Sequence, residues 1–447
     1  MQFLDARRLT GPSLLFDRYG SILDVACSPD EADRLVPIWK KHVGRMMTEL
    51  GWSNTEFAKA KLAGGISLAF TAPIDALYAA SAINEWAWSA CDHEFNGADA
   101  PDFATALAEI RDGIAEEANP ALVELETQAA AHGVTMLWDD DEVSLGLGRY
   151  SQTWAVRELP DPDSLEWERF RDVPTALVTG TNGKTTTVRL ATHILRAAGY
   201  TVGMSSTDYI AVNNEVIDRD DWSGPGGARN VLRHKGVDAA ILETARGGLL
   251  RRGLGVYAAN AAAITNIGRD HLGDFGSRSL EELMDIKWIV SRAVRDSGTL
   301  ILNADDARLV SRARDYPGTV AWFSLDPDNP VVLSHTHGGG TAYVQQDGDL
   351  VRIEGDTRER LCSAADIPIT LNGAARHNTA NALAAAALTA AMGVSMADIR
   401  RGLTTMTQGE NPGRGNVFDV DGFKVIIDFA HNPQAIEALL DMAAAMQ

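Results

Sequence analysis

A glycine- and threonine-rich segment, VTGTNGKTTTVRL at residues 178–190, holds the residues with the clearest chemical potential. A buried strand is predicted before it and a helix after it. Glycines let backbone N–H groups approach phosphate oxygens, and a helix N-terminus adds positive potential. A lysine can reach the β- and γ-phosphates, and a threonine hydroxyl can face Mg²⁺. This predicts a phosphate site formed by Gly180, Thr181, Asn182, Gly183, Lys184, Thr185 and Thr186. The loop is a shortened P-loop, because Val178 stands where the usual pattern has its first glycine.

Residue types that bind metals follow the next predicted strands. Glu243 ends the buried run AAILE, at the strand edge where a parallel sheet places its ligands. A carboxylate there is costly unless paired, so Mg²⁺ is its natural partner, with a salt bridge as the alternative. Asp270 and His271 follow another strand at the same edge, and a metal role is favoured for His271. Lys287 lies on a predicted helix just beyond, where a half-buried lysine usually extends its amine to solvent or pairs with a carboxylate.

Alternating strands and helices from residue 175 onwards are expected to position these residues. The runs TALVTG, YTVGMSS, DAAILET, AAAITNI and GTLILNAD read as buried strands, each followed by helical sequence. This alternation predicts an α/β fold with a mostly parallel sheet covered on both faces. Between residues 331 and 370 the pattern becomes hairpin-like, in VVLSH and in TAYVQQDGDLVRIEG with its Asp-Gly turn. A further strand is predicted near residue 423, followed by a helix.

The first 170 residues are expected to form a mainly helical domain. Apolar residues recur at three- and four-residue intervals near 31–50, 73–94 and 103–132. The charged, proline-bounded segment 161–174 is typical of a linker. This region offers no chemistry of its own, and docking of a substrate chain or an oligomer interface are the roles considered for it.

The bulk composition narrows the partners and the compartment. The formal charge is −21, which argues against nucleic acid and anionic membranes as partners. The three cysteines are far apart, as in a reducing compartment, and the N-terminus has no apolar signal segment. The longest apolar stretch, at 382–393, is too short to span a bilayer. A cytoplasmic location is therefore predicted.

Several motifs resemble those of the Mur ligase superfamily, and they occur in the expected order: TGTNGKTTT, TNIGRDHL, LNADD, RHNTANALAA and DFAHNP. Four more segments, GMSSTDYI, SGPGGAR, ETARGGLLRRGLG and NPGRGNVFDV, resemble the C-terminal, Mur-like half of the cyanophycin synthetases. The resemblance covers about residues 175–447. It implies a central ATP-binding domain over 171–412 and the beginning of a C-terminal domain over 413–447. Residues 133–156 faintly resemble the end of an ATP-grasp region within the N-terminal domain 1–170.

The resemblance implies an ATP-dependent ligase that joins a carboxylate to an amine. In that family the carboxylate attacks the γ-phosphate of ATP, ADP leaves, and an amine attacks the acyl phosphate. Lys184 would hold the β- and γ-phosphates, Thr185 would face one Mg²⁺, and two Mg²⁺ sites are expected. Further metal ligands would be Glu243, His271 and Lys287, which falls where many members carry a carbamylated lysine. Ser205 and Thr207 match hydroxyl positions near the metals.

The remaining motifs imply contacts to ATP and to the substrates. His377, Asn378 and Asn381 match the segment that contacts the adenine side of ATP. Arg414 would approach the phosphates from an interdomain hinge, and Asp428 and His431 from the third domain, with His431 on the substrate side. Arginines form bidentate pairs with carboxylates, so Arg246, Arg251 and Arg252 are candidates for an acidic peptide-like or amino-acid substrate, with helix-surface charge as the alternative.

Two departures from the family pattern keep other interpretations open. Only about 170 residues precede the loop, too few for the N-terminal and full ATP-grasp domains of a cyanophycin synthetase. The third domain also stops after one predicted strand and helix, so we expect either an incomplete chain or a partner that completes it. A homo-oligomer or a partner ligase is expected. The alternatives are a peptidoglycan-precursor ligase, a folate polyglutamate ligase, or a non-catalytic nucleotide-binding subunit of a ligase complex.

Overall fold

The N-terminal part of the chain contains two small sheets as well as helices. The computed structural model describes residues 1–62, 64–97, 101–270 and 279–446. A four-stranded antiparallel sheet has the order β1-β2-β4-β3, formed by β1 (Gln2–Leu9), β2 (Gly20–Ala26), β3 (Phe57–Leu62) and β4 (Gly65–Thr71). A three-stranded sheet follows, with β5 (Met136–Trp138), β6 (Glu142–Leu145) and β7 (Gln152–Ala155). The helices are α1 (Pro29–Leu50), α2 (Leu77–Asn96), α3 (Phe103–Glu117) and α4 (Pro120–Ala131).

These strands correct the prediction of a mainly helical N-terminal domain. The helices lie where the periodicity predicted them, but seven strands accompany them, so the region is mixed α and β. The β5–β7 sheet covers the segment interpreted as an ATP-grasp remnant, and that interpretation stays a prediction. Linker segment 161–174 contains two short 3₁₀ turns, at Pro162–Ser164 and Trp167–Arg169.

Helix α1 shows how local sequence builds this part of the core. Ser28 and Glu31 form a capping box at its start, and Gly51 ends it in the left-handed conformation. Buried residues recur along one face, and the largest of them, Trp39, is fully buried beside Phe70 of β4. The Trp39 indole N–H donates to Asn84 of α2 at 3.0 Å, which satisfies both polar groups inside the core.

An eleven-stranded sheet organises the rest of the chain, in the order β11-β10-β9-β12-β8-β13-β14-β15-β16-β17-β18. Between β9 and β16 in this order, adjacent strands are parallel. At one end β10 and β11, and at the other end β17 and β18, are added by antiparallel pairing. The strands are β8 (Thr175–Thr179), β9 (Val202–Ser205), β10 (Ile210–Val212), β11 (Glu215–Asp218), β12 (Ala239–Glu243), β13 (Ala259–Ile264), β14 (Val294–Asn303), β15 (Thr319–Ser324), β16 (Thr341–Gln346), β17 (Asp349–Glu354) and β18 (Thr357–Ser363). The predicted mostly parallel α/β sheet is confirmed.

Helices cover both faces of this sheet. Each face carries its own hydrophobic cluster, and the helices shield both clusters from water. They are α5 (Lys184–Ala197), α6 (Pro225–Arg233), α7 (Arg246–Arg252), α8 (Leu280–Trp288), α9 (Ala307–Ala313), α10 (Pro330–His337), α11 (Arg376–Ala391) and α12 (Met396–Thr405). The predicted hairpin TAYVQQDGDLVRIEG is present as β16 and β17, with positive φ at both Asp347 and Gly348 of its turn. The hairpin reading of VVLSH is wrong, because these residues lie in α10.

The last residues form a small unit above the loop that follows β8. A two-stranded hairpin, β19 (Asn416–Val420) and β20 (Phe423–Ile427), precedes α13 (Pro433–Ala445). Asn432 caps α13 and also hydrogen-bonds to Asn182 of the loop, with the Asn432 amide donating at 2.8 Å. The C-terminal unit therefore reaches the predicted phosphate site. In the described parts of the chain, no helix has the length and apolar character that a membrane crossing needs.

The N-terminal sheet packs against α7, the helix that carries the candidate substrate arginines. The backbone N–H of Thr10 donates to the Arg252 carbonyl at 3.1 Å, and that of Leu254 donates to the Pro12 carbonyl at 2.7 Å. Gly253 has φ +83°, and a Cβ there would lie 2.6 Å from the Gly11 carbonyl oxygen. Glycine is thus required for this close backbone contact.

Candidate nucleotide and metal site

The loop between β8 and α5 has the geometry of a phosphate cradle. Gly183 is the N-cap of α5 with φ +86°, and a Cβ on it would lie 2.2 Å from Oδ1 of Asn381. Gly180 has φ +148°, and a Cβ there would meet Oγ1 of Thr265 at 1.9 Å. Both positions therefore need glycine. Lys184 opens the helix, and its Nζ donates to the Thr181 carbonyl at 3.0 Å, at the mouth of the loop.

Two residues at the end of β13 hold this loop in place. The Thr265 hydroxyl donates to the Asn182 carbonyl at 2.6 Å, and the Asn182 N–H donates to Oδ1 of Asn266 at 2.9 Å. The Asn266 amide returns a bond to the same Asn182 carbonyl at 3.0 Å. Sequence reasoning did not select either residue, although their place after a parallel strand was the available signal.

Glu243 lies at the carboxyl end of β12 and is 2% exposed. Its Oε2 accepts hydrogen bonds from the Thr185 hydroxyl at 3.0 Å and from the Thr207 N–H at 3.4 Å. Its Oε1 is buried and has no hydrogen-bond partner, and the same holds for the Ser205 hydroxyl. Burial raises the pKa of Glu243, and the nearby Lys184 ammonium partly offsets this rise. An acceptor oxygen is thus left free beside the loop threonine.

Lys287 points from α8 back under the loop. Its amine is buried and donates to the Gly180 carbonyl at 2.7 Å. Burial, together with the positive charges of Lys184 and Arg246, lowers the pKa of Lys287 well below its ordinary value. The sequence pattern alone left an amine extended to solvent or paired with a carboxylate, and the burial of Lys287 corrects the expectation of a solvent-exposed amine. His271, the other predicted metal ligand nearby, lies outside the described residues.

The first turn of α11 borders the loop on its far side. Asn381 lies against Gly183, and its amide donates to Asn378 at 3.2 Å. The Asn378 amide in turn donates to the Ile369 carbonyl at 2.8 Å. His377 is half-buried near Asp428, and burial lowers the pKa of its imidazole. The predicted adenine-side residues therefore meet the loop and the C-terminal unit at one point.

Arg414 approaches the site from the segment that leads to β19. Its guanidinium lies 4.5 Å from the centre of the Phe429 ring and donates to Asp208 at 3.4 Å. Burial lowers the pKa of Arg414, which the negative charges of Asp208 and Glu243 partly offset. Asp428 accepts the Ala430 N–H at 2.7 Å.

The candidate substrate arginines of α7 differ in exposure. Arg246 is 9% exposed, Arg252 is half-buried, and Arg251 is exposed. Burial lowers the pKa of Arg252, and the positive charges of Arg8 and Arg251 act in the same direction. On the opposite side, Nε2 of His431 lies 3.4 Å from Oδ1 of Asp270.

Almost all of these groups line one cavity of about 1030 Å³. Ser205 is buried, and neither Ser205 nor Gly180 of the loop lines the cavity. The predicted site residues that do line it are Thr181, Asn182, Gly183, Lys184, Thr185, Thr186, Thr207, Glu243, Arg246, Arg251, Arg252, Lys287, His377, Asn378, Asn381, Arg414, Asp428 and His431. Such a cavity, at the carboxyl ends of parallel strands and beside a glycine loop, characterises a nucleotide-binding α/β domain of the P-loop class.

Part of this chain is similar in sequence to known proteins. Residues 178–389 match the family model described as the Mur ligase middle domain. The chain is 39% identical over 274 residues to cyanophycin synthetase of Trichormus variabilis, which is 61% of this chain and 30% of that protein. For cyanophycin synthetase of Synechocystis sp., the identity is 40% over 271 residues, with 60% and 31% covered. The matched region thus spans less than a third of the length of these relatives.

Weaker similarities to other proteins are found as well. A UDP-N-acetylmuramoyl-L-alanyl-D-glutamate--2,6-diaminopimelate ligase of Corynebacterium efficiens is 28% identical over 333 residues, which cover 71% of this chain and 60% of that protein. Among solved structures, MurF from Acinetobacter baumannii has a TM-score of 0.45 at 21% identity, with 62% of this chain and 55% of that chain covered. FolC of E. coli, in complex with DHPP and ADP, has a TM-score of 0.44 at 22% identity, with 61% and 66% covered.

Residues 178–389 are therefore similar to the Mur ligase middle domain. The predicted resemblance to this superfamily, and more narrowly to cyanophycin synthetases, is confirmed over the matched region.

Proposed function

We propose that this protein is an ATP-dependent ligase that joins a carboxylate to an amine, with ADP and phosphate as the other products. The observation that carries the proposal is the pairing of Thr185 with Glu243 at 3.0 Å, directly beside Lys184 at the phosphate loop. This arrangement places a hydroxyl, a carboxylate and an ammonium group around one point, as phosphoryl transfer requires. The similarity to cyanophycin synthetases and to Mur-type ligases supports the same reaction.

The residues present fit a bound Mg²⁺. Oε1 of Glu243 is a buried acceptor without a hydrogen-bond partner, and the Thr185 hydroxyl lies beside the same carboxylate. Among the described residues, no three His, Cys, Asp or Glu side chains cluster as a metal cage. Mg²⁺ does not need one, because it commonly takes one or two protein ligands together with phosphate oxygens and waters. Bound there, Mg²⁺ would neutralise charge on the phosphates.

Further metal ligands belong to the proposal as well. His271 and the Ser205 hydroxyl are candidates for the same ion or for a second Mg²⁺. Lys287 is a candidate for carbamylation, which requires a neutral amine, and burial of this amine favours the neutral form. The modified side chain would present a carboxylate under the loop, at the position from which the amine now contacts Gly180.

Each part of the site has its own proposed role in the reaction. Backbone N–H groups of the loop and Lys184 bind the phosphates, while Asn378 and Asn381 border the adenine side. Arg414 lies on the hinge close enough to Glu243 to add positive charge when the γ-phosphate moves to the substrate carboxylate. The bond from that phosphorus to ADP breaks, and an amine then displaces phosphate from the acyl carbon and loses a proton.

The arginines of α7 favour an acidic substrate. Arg246, Arg251 and Arg252 line the same cavity as Lys184 in a protein with a net charge of −21. A local excess of guanidinium groups in such a protein is best explained by a carboxylate ligand. We infer an acidic peptide-like substrate and a small amine or amino acid as its partner.

The test is nucleotide turnover on defined pairs of substrates. ADP and phosphate release would be measured with aspartate peptides, with and without pooled amino acids, and the products would be weighed by mass spectrometry. Release that needs both an acid and an amine, with a product lighter than their sum by one water, is expected. ATP binding without release under any pairing would instead favour a partner-dependent or non-catalytic nucleotide-binding subunit.

A further inference from the structure

A second cavity, of about 790 Å³, lies in the N-terminal part of the molecule. Its walls are the segment between α1 and β3, the end of β4, and α4. Tyr257, from the region that matches the Mur ligase middle domain, completes them. The residues that line it are entirely different from those that line the nucleotide cavity. Its volume falls in the range of small-molecule sites.

Glu126 of α4 places a half-buried carboxyl group in the wall of this cavity. Within the parts of the chain that the structure describes, no lysine, arginine or histidine forms an ion pair with it. The Tyr19 hydroxyl interacts with this carboxyl group, and Asp75 adds a second negative charge nearby. Burial raises the pKa of the Glu126 carboxyl, which the Tyr19 hydroxyl only partly offsets. A half-buried carboxylate without a cation is costly, and a positively charged ligand would remove that cost.

The two other charged residues that line the cavity do not neutralise Glu126, because Asp17 is itself an acid and Arg18 pairs with Glu56. Asp17 accepts a hydrogen bond from Arg292 at 2.7 Å. Arg18 lies 3.4 Å from Glu56 and extends into solvent. The cavity therefore keeps an excess of negative charge around Glu126.

Three aromatic side chains form a second part of the cavity wall. Tyr19, Trp52 and Tyr257 all line the cavity, and the rings of Tyr19 and Tyr257 meet edge to face with centroids 6.2 Å apart. The Tyr257 hydroxyl donates to the Thr10 carbonyl at 3.0 Å, which fixes the ring. Faces of aromatic rings attract ammonium and guanidinium groups.

We propose that this cavity binds a small organic cation, an ammonium or guanidinium group on an apolar stem, with Glu126 as its counter-ion. The aromatic rings contact the stem and the cationic head, and the carboxylate at the cavity wall accepts its N–H groups. The site is independent of nucleotide binding and of the proposed ligase reaction.

Calorimetric titration of the full chain with agmatine and n-pentylamine, without nucleotide, tests this site. Saturable binding of both cations is expected, and the uncharged 1-pentanol should not bind. Glu126→Gln should weaken cation binding by about ten-fold or more, because the charge that pairs with the ligand is lost. Glu124→Gln, on the exposed side of the same helix, is the matched control and should bind as the parent does.

A second variant, Trp52→Leu, removes one aromatic wall and leaves Glu126 in place, and it should also weaken binding. Near-ultraviolet circular dichroism would show that each variant is folded. Absence of cation binding at millimolar concentrations would overturn the proposal. Binding that persists unchanged in Glu126→Gln would also overturn it, because the cation would then occupy another site.

Discussion

The guanidinium of Arg189 donates a hydrogen bond to the carboxylate of Asp208 across 2.6 Å. The same guanidinium donates to Oδ1 of Asn411 at 3.2 Å and to the Pro412 carbonyl at 3.1 Å. Asp208 also accepts from Arg414. Because Arg189 belongs to α5, this pair connects the helix that follows the glycine loop to the segment before β19 that carries Arg414.

Breaking this connection should destabilise the protein. Arg189→Met leaves the Asp208 carboxylate without its closest cation and removes three hydrogen bonds to an almost fully buried group. A loss of about 2–4 kcal/mol in the free energy of unfolding is expected. Urea denaturation measures it, with Arg169→Met as the control. Arg169 forms an exposed pair with Glu166, so that change should cost less than about 1 kcal/mol. Equal losses in both variants would contradict the structural role of Arg189.

Lys184→Ala should abolish nucleotide turnover while the fold is retained. The amine lies at the loop mouth beside Glu243, and its loss removes positive charge where the phosphates are proposed to bind. A fall in ADP release of at least about 100-fold is expected, as for other groups that stabilise charge in a transition state. The exposed Lys235 of the same domain gives the control, Lys235→Ala. Undiminished ADP release from Lys184→Ala would refute the assignment of the loop.

Glu243→Gln should separate the effect of Mg²⁺ from the stability of the fold. Without metal, the variant should unfold at the same temperature as the parent or higher, because a buried charge is removed. With Mg²⁺ and ADP, the parent should gain thermal stability and the variant should gain much less. Differential scanning calorimetry with and without EDTA measures both, and Glu281→Gln, an exposed change on α8, is the control. Equal stabilisation of parent and Glu243→Gln by Mg²⁺ would place the ion elsewhere.

Two glycines with similar backbone angles test the packing of the loop. Gly183 and Gly199 have φ +86° and +94°, but only Gly183 has a neighbour, Asn381, where a Cβ would lie. Gly199→Ala should cost about 1 kcal/mol from backbone strain alone. Gly183→Ala should cost more and should also weaken binding of a fluorescent ATP analogue. Similar stability and nucleotide affinity in the two variants would contradict the close packing of Gly183 against Asn381.

Patterns set by local chemistry were predictable from the sequence. The strand, glycine loop and helix around Lys184 follow from residue order alone, and the Asp347–Gly348 turn was predicted because few residue pairs adopt positive φ twice. The first N-terminal strand was not predicted, because QFLDARRL lies at a sheet edge and mixes charged and apolar residues. VVLSH looked like a strand from its valines, although Asn329 and Pro330 before them form a helix start.

The parts of the site that depend on tertiary contacts were not predictable. Arg189 cannot be distinguished by sequence from a surface arginine of the same helix, and its burial depends on Asn411 and Pro412, more than 200 residues away. The second cavity combines Tyr19, Glu126 and Tyr257, which come from three distant segments. For Lys287 the sequence pattern did not predict a buried amine. The amine is buried because α8 packs under the loop and brings it to the Gly180 carbonyl.

Isotope transfer tests the central claim most directly. The acid that supports ADP release would be labelled with ¹⁸O in its carboxylate and incubated with ATP and the amine, and the phosphate would be analysed by mass spectrometry. Attack of the carboxylate on the γ-phosphate predicts that one labelled oxygen appears in each phosphate formed. Unlabelled phosphate, or release of AMP and pyrophosphate, would contradict activation of the acid as an acyl phosphate.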